Sequence, residues 1–74
     1  MRTMAKRRII PERGEITPAQ VRALREHLGL SLEALAEKLG VKPSTIYGWE
    51  TPSQKRRPSP SHAILLRLLE DGSL

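Results

Sequence analysis

Four stretches of the chain carry apolar residues at helical spacing, each between its own start and stop signals. In the first, Val21, Leu24 and Leu28 recur at i, i+3 and i+7, while Arg22, Arg25 and Glu26 take other faces. Thr17 precedes it as N-cap, Pro18 fills the first helical position, and Gln20 lies three residues after the cap. That is a capping box with proline where its missing N–H costs nothing. Gly29 ends the segment. Ser31 caps the second, whose stripe is Leu32, Leu35, Ala36 and Leu39, with Glu33, Glu37 and Lys38 outside and Gly40 as the stop. The third runs from Pro43 to Glu50; only Ile46 and Trp49 point consistently inward, and the rest of its surface is small or polar. Pro52 and Pro58 then bracket a basic loop, Ser53–Arg57. Ser59 and Pro60 open the fourth, and Gly72 closes it. Its Ile64, Leu65, Leu66, Leu68 and Leu69 span an arc of about 200°, wider than one packing face needs.

Short amphipathic helices cannot each bury a face alone, so they must pack together. The pattern predicts an all-α, compact bundle of four to five short helices over residues 16–74. Residues 1–15 show no helical period. Ile9-Ile10 before Pro11 would suit a short strand or a hydrophobic anchor, but a flexible basic arm is the reading we prefer. The excess apolar arc on the fourth helix calls for a further partner. A second copy of the chain is the simplest, with Leu65, Leu66 and Leu69 as the expected interface.

Composition narrows the chemistry. The chain has 74 residues and no cysteine, so neither a disulfide nor a thiolate nucleophile is available. A core of this size is thin, supplying about 3–5 kcal/mol. His27 and His62 are too far apart in sequence for a zinc-binding spacing, and both read as ordinary helix-surface residues. Glu33 and Glu37 share a face, but nothing in the pattern forms a cleft around them, so a solvated face is the better account than acid/base work. No catalytic residue, cofactor or metal is expected. No apolar run approaches the roughly 18 residues that span a bilayer. The N-terminus is basic but lacks the apolar stretch and cleavage site of a secretory signal, which makes a cytoplasmic location the expectation.

Charge adds a direction. The net charge is +5, and it is unevenly placed. Residues 1–14 carry a net +4 and residues 51–58 a net +3, whereas 15–50 and 59–74 each sum to −1. Two basic segments flanking a nearly neutral middle are the footprint of a polyanion partner.

The span from Leu32 to Trp49 supplies a motif: Leu32-x-x-Leu35-Ala36-x-x-Leu39-Gly40-Val41-x4-Ile46-x-x-Trp49-Glu50. Ala36 is small where a second helix must cross closely, Gly40 takes the turn, and Val41, Ile46 and Trp49 anchor the following helix. This spacing resembles the helix-turn-helix of the Cro and phage-repressor (XRE) family of DNA-binding regulators. The likeness covers about residues 17–70.

The resemblance implies that the third helix enters the major groove by its N-terminal half. The matching positions here are Lys42, Pro43, Ser44, Tyr47 and Gly48, with Thr45 at a position that usually meets the phosphate backbone. Lys55, Arg56 and Arg57 match a basic loop that touches phosphates and the minor groove in such repressors, and Arg7 and Arg8 of the arm would follow a neighbouring groove. Arg25 and Glu50 match an ion pair joining the first helix to the end of the recognition helix. Two positions depart from the family: Leu32, and the pair Pro43-Ser44, stand where relatives often carry glutamine. Those glutamine contacts do not transfer, so phosphate contacts and DNA shape should take a larger share of recognition.

A homodimeric repressor of duplex DNA is the function this implies, on an inverted repeat with half-sites about 34–36 Å apart. An antitoxin or adaptor that mainly binds a protein partner, such as a toxin, is the alternative, because bacterial antitoxins use the same motif. RNA binding is disfavoured by aromatic poverty, since Tyr47 and Trp49 are the only rings outside the histidines.

Overall fold

A capping hydroxyl opens three of the four helices and a proline opens three, with both present at two of them. The computed structural model describes residues 8–73, and α1 spans Pro18–His27, α2 Leu32–Leu39, α3 Pro43–Glu50 and α4 Pro60–Glu70. A single 3₁₀ turn, Pro52–Gln54, lies between α3 and α4, and no strand occurs among the described residues. The capping box on α1 is complete: Gln20 N–H donates to Thr17 Oγ1 at 3.2 Å, and Thr17 N–H donates to Gln20 Oε1 at 2.8 Å. Ser31 and Ser59 accept from Ala34 N–H and His62 N–H to start α2 and α4.

The turn between α2 and α3 depends on Gly40, which sits at φ 72°, ψ 32° in the left-handed region. There Val41 N–H closes on the Ala36 carbonyl at 3.0 Å, so the chain reverses without leaving that carbonyl unpaired. Helix α3 packs against both α1 and α2, and α4 closes over α2. The core is Val21 and Leu24 from α1, Leu35, Ala36 and Leu39 from α2, Ile46 and Trp49 from α3, and Leu66 and Leu69 from α4. Leu32, Val41 and Leu65 pack at its edge.

Two expectations are corrected. The segment before α1 is not a free arm where it is described. Ile10 is fully buried and Ile16 is 4% exposed, both in the same core as the helices. Glu70 near the end of α4 accepts from the backbone N–H groups of Ile9 and Ile10 at 2.6 and 2.9 Å. One turn earlier, Arg67 donates to the carbonyls of Pro11 and Gly14 at 2.7 and 3.3 Å. A strap without secondary structure of its own thus has its backbone groups satisfied by side chains of α4. The basic residues before Arg8, Arg7 included, lie outside the described residues.

The second correction concerns α4. Leu66 and Leu69 are buried within the chain itself, at 0% and 5% exposure, so they cannot also form an interface with a second copy. Leu65 is half-buried. The strap takes up part of the arc that seemed to need an outside partner, and what remains exposed is Ile64 and Leu68.

Replacing Ile10 by alanine should therefore lower unfolding stability by about 2–4 kcal/mol, as for any buried isoleucine. Urea denaturation followed by circular dichroism measures it; a loss under about 0.5 kcal/mol would mean the strap does not share the core.

Candidate nucleic-acid interface

The outward face of α3 is the side the core leaves free. Ile46 and Trp49 turn inward, and the same helical period turns Pro43, Ser44 and Tyr47 to solvent, with Tyr47 53% exposed. Lys42 stands at the N-cap without a side-chain capping bond and remains exposed, as a cation beside the helix start. Thr45 is half-buried.

The orientation of α3 is fixed at its far end. Arg25 of α1 donates through Nε to Glu50 Oε2 at 2.7 Å and through the terminal nitrogen Nη2 to Oε1 at 3.0 Å. Its remaining nitrogen, Nη1, donates to the Leu30 carbonyl at 3.0 Å, so one guanidinium ties α1, the α1–α2 turn and the end of α3 together. The expected pair is present and two-pronged. The Arg25 side chain is 17% exposed and that of Glu50 7%. The hydrogen bond to Glu50 raises the Arg25 pKa above its ordinary value, against the opposing effect of burial. On the inner side, the Trp49 ring lies 5.4 Å from the His62 ring at a 50° tilt, linking α3 to the start of α4.

Beyond α3 the chain bends back. Thr51 Oγ1 donates to the Tyr47 carbonyl at 2.7 Å, and the 3₁₀ turn ends at Lys55, which takes a left-handed φ of 55°. This brings Arg56 alongside α3. Ser44, Thr45, Tyr47, Gln54 and Arg56 line one shallow concavity of about 250 Å³. Gln54 was not anticipated as a site residue; its place within the basic loop was the only signal in the sequence. Gly48 is buried, and the cover is Arg56, not another helix.

Arg57 and Arg8 are engaged elsewhere. Arg57 approaches Glu15 of the strap at 3.4 Å. Arg8 donates to Asp71 at 2.7 Å, a bond that raises its pKa, with Glu70 and Glu12 at 3.8 and 3.9 Å. Among the described residues, Arg13, Lys38, Lys42, Lys55, Arg56 and Arg67 have no carboxylate partner, and of these Lys42, Lys55 and Arg56 border α3 or its return loop. No helix among the described residues is long and apolar enough to cross a membrane. Nor does any group of three or more His, Asp or Glu side chains converge in a way that would hold a metal ion among them.

A family model described as helix-turn-helix matches residues 21–67, from the middle of α1 to the last turns of α4. No curated protein and no solved structure matches the chain.

Because the Arg25–Glu50 pair is mostly but not fully shielded from water, Arg25→Ala should cost about 2–3 kcal/mol by stranding Glu50. Urea unfolding of the single and double variants gives the coupling; below about 0.5 kcal/mol the pair would behave as an exposed one.

Proposed function

Since the chain belongs to the helix-turn-helix family of DNA-binding regulators of the XRE and lambda-repressor type, we propose that it acts as a homodimeric repressor on an inverted-repeat operator. The observation that carries this reading is that the free face of α3 is bordered by three exposed cations with no carboxylate partner among the described residues, Lys42, Lys55 and Arg56. Phosphates take Lys42, Lys55 and Thr45, which fixes the register of α3 in the major groove. Ser44 and Tyr47 then face base edges, Pro43 contributes apolar contact, and repression follows from occupancy, by exclusion of polymerase.

The second copy has a candidate surface on α4. Ile64 and Leu68 are 55% and 37% exposed and lie one turn apart. Ile64 borders an open groove of about 420 Å³ with Ile16, Pro58, Pro60, Ala63 and Arg67. Burying a lone exposed isoleucine and leucine between two copies is the use of this face that a two-half-site operator requires. The antitoxin reading would seat its protein partner here instead.

Selection from a random duplex library should enrich an inverted repeat with half-sites one helical turn apart. Raising salt from 50 to 200 mM should cost roughly 10³–10⁵ in affinity, as about 6–10 phosphate contacts would give. Absence of any enriched motif overturns the proposal. Ile64→Glu with Leu68→Glu should leave a folded monomer by sedimentation, with operator binding weakened. An unchanged dimer would remove this face from the assignment, and a wild-type monomer that holds a stoichiometric protein partner would favour the antitoxin reading.

A further inference from the structure

Helix α3 is short of side chains that read bases. Pro43 has no donor, Ser44 is short, and Tyr47 ends in one hydroxyl; all three are exposed. The middle of the helix is nevertheless covered. A Cβ placed on Gly48 would lie 2.7 Å from Arg56 Cδ, 3.6 Å from Nε and 3.7 Å from Cβ. The stem of Arg56 therefore occupies the volume that any other residue at position 48 would need. Gly48 is helical, with no positive φ, so its backbone conformation does not call for glycine. Glycine is a poor helix residue, and the notch it leaves in α3 is where the exposed Arg56 stem lies.

The return loop delivers that stem. Lys55, at φ 55° and ψ 34°, adopts the left-handed conformation that a residue with a Cβ rarely takes. It turns the chain so that Arg56 lies back across α3 beside Ser44, Thr45, Tyr47 and Gln54. Among the described residues no carboxylate is within ion-pair distance of Arg56.

We propose that Arg56, seated in the notch at Gly48, is the specificity-determining side chain of this interface and takes the major-groove edge of a guanine. The inference rests on α3 being the DNA-contacting helix. With its stem against α3, the guanidinium travels with the recognition helix and not with a loose loop. Its planar fork matches the O6 and N7 acceptors of guanine, which neither Ser44 nor Tyr47 can do. A side chain already held in place has less rotamer freedom to lose on binding. The assignment differs from the phosphate and minor-groove role that the resemblance implied for this loop.

The test uses the full chain on its selected duplex, with each guanine of a half-site replaced in turn by 7-deazaguanine, which lacks the N7 acceptor, or by another base pair. Wild type should depend on one guanine per half-site. In Arg56→Lys, which keeps the charge but not the fork, discrimination at that guanine should fall about 10–100-fold while other positions are read as before. Gly48→Ala should displace the stem and produce the same local loss, with the salt dependence unchanged because no charge is removed. The proposal is overturned if Arg56→Lys keeps every base preference. It is equally overturned if Arg56→Ala weakens all duplexes alike and lowers the salt slope by about one, the behaviour of a phosphate contact. Wild type without any sequence preference would overturn the DNA reading itself, and would show before a variant is compared.

Discussion

The arrangement of this small domain depends on one guanidinium. Arg25 holds Glu50 through two nitrogens and the Leu30 carbonyl through the third. Glu50 sits in the last turn of α3, where the helix dipole is negative and a carboxylate is unwelcome. Arg25 offsets that penalty and converts it into a constraint, because the carboxylate can be tolerated only while α3 ends beside α1. Ile46 and Trp49 set how deeply α3 sits; the ion pair sets where its far end lies. A helix of eight residues with two inward side chains needs both.

The strap before α1 does for α4 what Arg25 does for α3. Its Ile10 and Ile16 enlarge a core that would otherwise be thin for 74 residues, and its backbone is paired by Glu70 and Arg67. This changes the electrostatic picture as well. Arg8, which looked available to a polyanion, is committed to Asp71 and Glu70, and Arg57 leans toward Glu15. Summed charge along the sequence overstates the cations that remain free; the structure concentrates those of the loop region at Lys55 and Arg56.

The helices and their limits were legible because they rest on local chemistry. Thr17-Pro18, Ser31, Ser59-Pro60 and Gly40 act on neighbours within four residues, so the sequence states their effect directly. Arg25 and Glu50 were legible for a different reason, since they match a family pattern. The strap was not, because its partners lie some 60 positions away and an irregular segment has no period to betray them. The same blindness misassigned α4. Periodicity says that five apolar residues share a wide arc, but only the position of the strap and of α2 decides that Leu66 and Leu69 go inward while Ile64 and Leu68 stay out.

Gly48 shows the limit most plainly. In the sequence it is a helix-weakening residue at a position that the resemblance places near DNA. Nothing local to Gly48 points eight positions ahead to Arg56, the residue that lies over it. The link requires the Thr51 bond that ends α3, the 3₁₀ turn and the left-handed Lys55 acting in succession. Each step carries a conformational cost, the φ at Lys55 above all, and a loop that only presented charge to phosphates would have no use for it. A loop that must place one long side chain on a helix built from short ones does.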